Sequence, residues 1–354
     1  MENRVERLIK QLGTEFEAAL ITSEENRFYL FGMHSSAGTA VILKDKSYFI
    51  IDSRYIELAK KTVKNAEIIL QTRVYQQVNE LLKKHDVHTV WLEESVNLGT
   101  YGGLEKILCD VELPLKTPLT RAINELRAIK SIEELKCIET AQEFTDAGFR
   151  HICNLLSAGQ RERDMAIELE HFMKKQGAQG LAFDTILVSG VNSSLPHGVP
   201  SDKLIANGDF ITMDFGARFG GYCTDMTRTV AIGRVSQEMR EVYDTVLTAQ
   251  QRALDAIKAG AVCGEVDSCA RDYINQRYSG MFGHGLGHSV GIEIHEYPRF
   301  SPGSTTVLQE GMVMTVEPGV YLTGKFGVRI EDTVYVTKDG LINVAKSPKE
   351  LIAL

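Results

Sequence analysis

The chain has 354 residues, of which 44% are hydrophobic and 24% charged, and its formal net charge is -8. That length is typical of two domains, and the balance excludes a collagen-like or disordered chain. An acidic protein with no Lys/Arg cluster lacks the basic face that neutralises phosphates, which argues against nucleic acid as a partner.

No run reaches the ~20 apolar residues of a membrane span. The N-terminal stretch MENRVERLIKQL is charged and amphipathic, so a cytoplasmic location is expected. Six cysteines (109, 137, 153, 223, 263 and 269) show no C-x-x-C spacing and read as buried free thiols.

The first 120 or so residues alternate strand-like and helix-like runs: AALIT at 18–22, GTAVILKDKSYFIID at 38–52, IELAKKTV at 56–63 and VHTVWLEE at 87–94. This alternation predicts an α/β domain. Pro114 and Pro118 in ELPLKTPLT (112–120) mark a linker, so the boundary is placed at 1–122 and 123–354.

From Ser131, a capping box with Glu134 opens a helix reaching about Leu156, closed by Ala158-Gly159. A second helix spans 161–176, and two strands over 211–232 turn at Gly220-Gly221. The order then repeats, with a helix over about 236–258, a stop at Ala259-Gly260, a helix over about 265–278, and strands.

Gly208 precedes Asp214 by six residues and Gly311 precedes Glu317 by six, while Asp225 and Glu331 follow, each ahead of a Thr-rich apolar stretch. The pattern is that of a divergent internal duplication in which each half donates two carboxylates.

Strands are poor in Asp, so Asp214 and Asp225 in apolar strand sequence call for an explanation. A hairpin centred between Phe219 and Gly220 would set them directly opposite each other, where like charges repel. Glu317 and Glu331 pose the same problem in MVMTVEPGVY and GVRIEDTVYV. Two divalent cations balance four carboxylates, and His288 in GHGLGHSVG completes five ligands.

Two rival motifs fail on the sequence. Residues 287–291 match the G-x-S-x-G elbow of serine hydrolases, but His295 alone follows Ser289, leaving no room for the acid and histidine that fold places afterwards. His295-Glu296 also lacks the second histidine of H-E-x-x-H, since Arg299 stands there.

Together SLPHGVPSD around His197, ITMDFGARFGGYCTDMTRTV, GHGLGHSVGIEIHE, GMVMTVEPGVY and GVRIEDTVYVT resemble the pita-bread metallopeptidases of the prolidase and aminopeptidase P group. ENRFYLFG (25–32), IIDSRYIELA (50–59) and LRAIKSIEEL (126–135) extend the resemblance to the amino-terminal α/β module and the entry into the catalytic domain.

The resemblance implies a pita-bread α+β catalytic domain with a pseudo-twofold duplication. Asp214 would bind one metal, His288 and Glu317 the other, and Asp225 and Glu331 both. It further implies hydrolysis before proline, with His197, His284 and His295 at the substrate, Glu317 relaying a proton, and Arg329 orienting Glu331 or touching substrate. Short proline-containing peptides are the expected partners, and a homodimer the expected assembly.

Oxygen-rich ligation with one imidazole suits Mn²⁺, with Co²⁺, Fe²⁺ and Zn²⁺ as alternatives. A methionine aminopeptidase would usually lack the first domain. Creatinase lacks the ligands, and a non-catalytic pita-bread binding protein would have lost some of them.

Overall fold

The computed structural model describes residues 3–354. Backbone contacts divide the chain into two compact units, with the division between Arg127 and Ala128. Among the described residues no helix is long and apolar enough to cross a membrane.

The first unit contains α1 (Arg4–Leu12), β1 (Ala18–Ile21), α2 (Glu24–Phe31), β2 (Thr39–Leu43), β3 (Ser47–Ile51), α3 (Ile56–Thr62), β4 (Glu67–Leu70), α4 (Val74–Lys84), β5 (Val90–Leu92) and α5 (Leu98–Ile107), followed by α6 (Leu119–Ala128). Its sheet runs β4-β3-β2-β1-β5 and is mixed, antiparallel at β1–β2 and β2–β3 and parallel at β1–β5 and β3–β4. β1 and β3 are buried along their whole length, which is why they read as unbroken apolar runs. Just past β5, buried Glu93 accepts from Thr22 N (2.6 Å), Ser23 Oγ (2.6 Å) and Asn26 Nδ2 (2.7 Å). A carboxylate is thereby satisfied at the N-terminus of α2, where Ser23 is the cap.

The second unit begins with α7 (Ile132–Cys153), α8 (Glu162–Gln176), β6 (Gly180–Leu181), β7 (Ile186–Ser189), β8 (Phe210–Phe215), β9 (Ala217–Phe219), β10 (Tyr222–Cys223) and β11 (Met226–Ala231). It continues with α9 (Gln237–Ala256), α10 (Cys263–Asn275), β12 (Gly287–Ser289), β13 (Glu296–Phe300), β14 (Val313–Val316), β15 (Gly319–Leu322), β16 (Phe326–Arg329), β17 (Asp332–Val336) and β18 (Leu341–Asn343). The capping box that opens α7 is formed: Glu134 N donates to Ser131 Oγ at 3.3 Å, and Ser131 N to Glu134 Oε2 at 2.8 Å.

The duplication is visible in backbone pairing. Gly159 N donates to Ile205 O and Gly260 N to Leu308 O, both at 2.8 Å, ahead of α8 and α10 respectively. Likewise Gly208 N donates to Ile232 O at 2.7 Å, and Gly311 N to Val336 O at 3.0 Å. Each glycine of these pairs has positive φ, at 92° and 93° for Gly159 and Gly260 and at 89° and 94° for Gly208 and Gly311. In each half an outer strand, an inner strand and a return strand form an antiparallel run, β7-β8-β11 in the first and β12-β14-β17 in the second.

α7 braces the first half through buried polar groups rather than apolar ones alone. Glu134 Oε1 accepts from Tyr222 OH at 2.6 Å, Thr145 Oγ1 accepts from Ala217 N at 3.1 Å, and Thr224 Oγ1 donates to Gln142 Oε1. These bonds hold the β9–β10 hairpin, which carries the turn between Asp214 and Asp225.

The paired glycines differ in what surrounds them. A Cβ on Gly208 would meet its nearest neighbour, Arg234 O, at 3.9 Å, whereas one on Gly311 would lie 2.9 Å from Ile129 Cγ2. Gly208→Ala is therefore expected to cost about 1 kcal/mol through backbone strain alone, and Gly311→Ala more. Urea midpoints of the two variants check the order, and equal losses would contradict it.

Candidate metal centre

Asp214 is the fifth residue of β8 and pairs directly with Thr227 of β11. The hairpin is centred between Gly220 and Gly221, as the pairs Phe219–Tyr222 and Arg218–Cys223 show. The expected centre between Phe219 and Gly220 is thus corrected by one residue, and Asp214 does not face Asp225 directly. A tight hairpin turn needs positive φ at both central positions, and Gly220 (58°) and Gly221 (83°) supply it where Phe219 would be strained.

Asp225 still shares a face with Thr227, two residues on, and so with Asp214. The two carboxyls are neighbours, and the charge of Asp214 helps to raise the pKa of Asp225.

In the second half the last β14–β17 pair is Val316–Asp332, so Glu317 and Glu331 are the next residues in the same register. Asp225, Glu317 and Glu331 therefore stand just outside strand ends, not within strands as their apolar surroundings suggested. There their side chains converge without interrupting the ladder.

His288, in β12, is 3.3 Å from Glu317 Oε1 and 3.6 Å from Asp225 Oδ2, both through Nε2. Its Nδ1 lies 3.2 Å from Ser289 O, a contact that orients the ring with Nε2 facing the acids. Ligand atoms of Asp225, His288 and Glu331 all lie within 4.8 Å of one another.

The electrostatics are those of a site short of positive charge. Burial pushes Asp225 well above the usual carboxylate range, helped by the charges of Glu331, Asp214 and Glu317. Burial does the same to Glu331, with Glu317 and Asp214 adding to it. On Glu317 burial also acts upward, but the hydrogen bond and charge of His288, together with His284 and Arg329, outweigh it and hold this group below its ordinary value.

Asp214 Oδ1, Asp225 Oδ1 and Glu331 Oε1 are buried with no hydrogen-bond partner. Donorless carboxylate oxygens on acids grouped with an imidazole nitrogen, as at Asp225, Glu331 and His288, suit a hard divalent cation, so the residues fit a metal.

Arg329 does not reach Glu331 directly. Its Nη2 donates to Asp214 Oδ2 at 2.6 Å, its Nε to Thr227 Oγ1 at 3.0 Å, and its Nη1 to Tyr321 OH at 2.8 Å and Pro196 O at 3.1 Å. The link to Glu331 runs through Thr227, whose hydroxyl donates to Glu331 Oε2 at 2.7 Å.

Tyr321 OH is also 2.9 Å from His284 Nε2, while His284 Nδ1 lies 2.9 Å from Gly285 O. Burial, with Arg329 adding to it, lowers the His284 pKa and favours the neutral ring, which accepts from the tyrosine. Burial also raises the phenol to about 12, against the opposing effect of Arg329. Sequence reasoning passed over Thr227 and Tyr321. The only signals for them were the Thr-rich stretch after Asp225 and a tyrosine four residues past Glu317.

Asp214, Asp225 and Glu317 face a cavity of about 590 Å³ whose lining includes His197, His284, His288, His295, Arg299 and Phe300. His295 is exposed, and its ring packs edge-on against that of His288 at 4.4 Å between centroids. Burial and the neighbouring His288 and Arg299 charges lower its pKa. His197 is exposed on the loop after β7.

Asp225 and Glu331, both raised by burial, favour the protonated form more than ordinary carboxylates do, and a cation competes with those protons, so metal affinity should rise with pH and titration should release protons. A carboxyl raised in the folded state contributes stability below its unfolded pKa, and that contribution is lost as pH rises through the folded value. The melting-temperature gap between metal-loaded and chelator-treated protein should therefore be wider at pH 8 than at pH 5, a comparison in which His284 and His295 largely cancel. A constant or narrowing gap would contradict the assignment.

The comparisons with known proteins agree with this geometry. Residues 136–338 match metallopeptidase family M24, and residues 4–129 match the creatinase/prolidase N-terminal domain. A protein of Bacillus subtilis (strain 168), named as an uncharacterized peptidase, is 43% identical over 354 residues, covering 99% of both chains. Among solved structures, an Xaa-Pro dipeptidase from Bacillus anthracis superposes with TM-score 0.95 at 40% identity over 99% of each chain. An X-Pro aminopeptidase from Thermotoga maritima MSB8 does so with TM-score 0.90 at 35% identity over 99% of this chain and 100% of that one.

Metallopeptidases of this family use divalent metals, and the cluster at Asp225, His288 and Glu331 is a place for one. The chain is a hydrolase of metallopeptidase family M24, with a creatinase/prolidase N-terminal domain ahead of a pita-bread catalytic domain.

Proposed function

We propose that the chain removes an N-terminal residue from proline in short peptides, using two divalent ions of which Mn²⁺ is the first choice and Co²⁺, Fe²⁺ or Zn²⁺ the alternatives. Asp214 would hold one ion, His288 and Glu317 the other, and Asp225 and Glu331 both. The observation that carries the reading is the set of donorless buried oxygens on Asp214, Asp225 and Glu331, the first two acids lining a cavity together with His288. The whole-chain likeness to an Xaa-Pro dipeptidase and an X-Pro aminopeptidase supports the choice of proline. A homodimer and a cytoplasmic location belong to the same reading.

When bound, such ions polarise a carbonyl and bring the pKa of a water near neutrality. The remaining work falls to the protein. Glu317, the acid held below its ordinary pKa, is available to take a proton and pass it to the proline nitrogen, a tertiary amide nitrogen that leaves only when protonated. His284 is fixed by Tyr321 and Gly285, and its Nδ1 lies 4.0 Å from Glu317 Oε2, which holds its ring at the edge of the acids. His197 and His295 contact the scissile residue from opposite halves of the duplicated fold. Arg329 holds Asp214 in place and leaves Asp214 Oδ1 free of donors.

Arg299 favours a dipeptidase over an enzyme for longer peptides. It pairs across the strands with His288, is exposed, and lines the cavity. A guanidinium there would capture the free carboxylate of a terminal proline.

A charge-assisted contact contributes ~1.5 to 3 kcal/mol, so Arg299→Met should lower kcat/KM on Xaa-Pro about 10- to 100-fold. Turnover of Xaa-Pro-Yaa-Yaa should change by less than about threefold. Equal losses on both would contradict the carboxylate clamp, and a wild-type enzyme inactive on every Xaa-Pro peptide in a small panel would contradict the function itself. His288→Ala should weaken one ion more than the other, read as two unequal steps in a metal titration, and equal weakening would contradict the asymmetric ligand set.

A further inference from the structure

The mechanism leaves unused a carboxylate that is entirely buried. Glu162, the first residue of α8, is 0% exposed. Its Oε1 accepts from Ser189 N (2.6 Å) and Ser189 Oγ (2.8 Å), and its Oε2 from Ser201 N (3.1 Å) and Ser201 Oγ (2.7 Å). Asn192 Nδ2 donates to both oxygens, at 3.2 and 3.1 Å. One carboxylate thus gathers the two ends of the segment 190–200.

That segment carries His197 and further residues of the cavity wall, among them Pro196, Val199 and Pro200. Its middle is tied to the site as well, since Arg329 Nη1 donates to Pro196 O and Gly327 N donates to Ser193 Oγ at 2.9 Å.

The duplicated half provides an internal control. Glu162 N donates to Lys203 O (3.2 Å) and Arg163 N to Ser201 O (3.1 Å), while Cys263 N donates to Thr306 O (2.8 Å) and Gly264 N to Ser304 O (3.0 Å). Cys263 is therefore the counterpart of Glu162, and it too is 0% exposed. The fold fills this position with an uncharged side chain when it can. Burying a carboxylate there is expensive unless its lone pairs are satisfied, and what satisfies Glu162 is Asn192 within the His197 segment and the two serines that flank it.

The second half anchors its own histidine segment by other means. Ser289, which pairs with β14 as Ser189 pairs with β8, accepts a hydrogen bond from buried Lys130 (2.9 Å), and Lys130 in turn pairs with Glu296, the residue after His295 (3.1 Å).

We propose that Glu162 is a positioning residue that fixes His197 at the cavity by clamping both ends of its segment. The proposal rests on the substrate contact assigned to His197 above.

The test uses the metal-loaded full chain. Glu162→Gln keeps the size of the side chain but sets a donor against the donors at one end of the clamp. It should retain wild-type metal content and lose about 10- to 100-fold in kcat/KM on Xaa-Pro, divided between kcat and KM as in His197→Ala. Added to His197→Ala, it should cost less than about threefold more, and amide exchange in 190–200 should quicken.

Additive losses, or unchanged kinetics and exchange in Glu162→Gln beside an impaired His197→Ala, would overturn the proposal alone. A His197→Ala enzyme with wild-type kinetics would overturn both the proposal and the role of His197. Should Glu162→Gln fail to fold, Ser201→Ala, which cuts the clamp at one end and keeps the carboxylate, should show the same non-additivity with a loss of about three- to tenfold, and additivity there would overturn the proposal equally.

Discussion

Four carboxylates that converge in a buried space repel one another, and most of the second unit is arranged around that repulsion. Two of them, Asp225 and Glu331, are pushed toward the protonated form by burial and by the charges of neighbouring acids, Asp214 and Glu317 acting on both. The fold supplies two partial remedies: His288 stands beside Glu317 and Asp225, and Arg329 is bound to Asp214. Neither reaches Asp214 Oδ1, Asp225 Oδ1 or Glu331 Oε1, and these are the oxygens left to a cation.

Convergence also requires that the two halves be fastened to each other, since each contributes two of the acids. The fastening is made by threonines and backbone. Glu331 N donates to Thr227 O at 3.0 Å, Thr227 Oγ1 to Glu331 Oε2 at 2.7 Å, Thr229 Oγ1 to Arg329 O at 2.9 Å, and Thr333 Oγ1 to Asp225 O at 2.7 Å. Arg228, 1% exposed, donates to Thr227 O and to Glu331 O, and its other nitrogens bind Asp332 Oδ1, Ser347 O and Pro348 O. Hydroxyls and a buried guanidinium suit this seam because an apolar one would leave the carbonyls beside the acids unpaired.

Periodicity and punctuation were readable from the chain because they depend on near neighbours. The α7 capping box, the stops at Gly159 and Gly260, and the doubled helix-helix-strand order all follow from local rules. Register was not readable to the residue. The turn lies at Gly220-Gly221, as the glycine pair indicates, but pairing the two aspartates puts the centre one residue earlier, and that one-residue difference separates an Asp214–Asp225 pair from the Asp214–Thr227 pair that forms. Spacing sets Arg329 on the strand face of Glu331, yet its side chain crosses to Asp214 on the other half, a contact 115 residues away in sequence. Tyr321 and Thr227 escaped notice because their importance lies in what they join, which sequence spacing does not encode. The two halves are also less alike than their spacing suggests, since Glu317 and Glu331 continue a ladder register whereas Asp214 and Asp225 are offset by two.

The central claim is that these buried acids exist to hold metal, and the bridging position proposed for Asp225 is where it is most exposed to test. Elemental analysis of wild type and Asp225→Asn, with Xaa-Pro hydrolysis measured on the same samples, addresses it directly. The account predicts two divalent ions per chain and turnover in wild type, and neither in the variant. Two ions per chain with normal turnover in Asp225→Asn would contradict it.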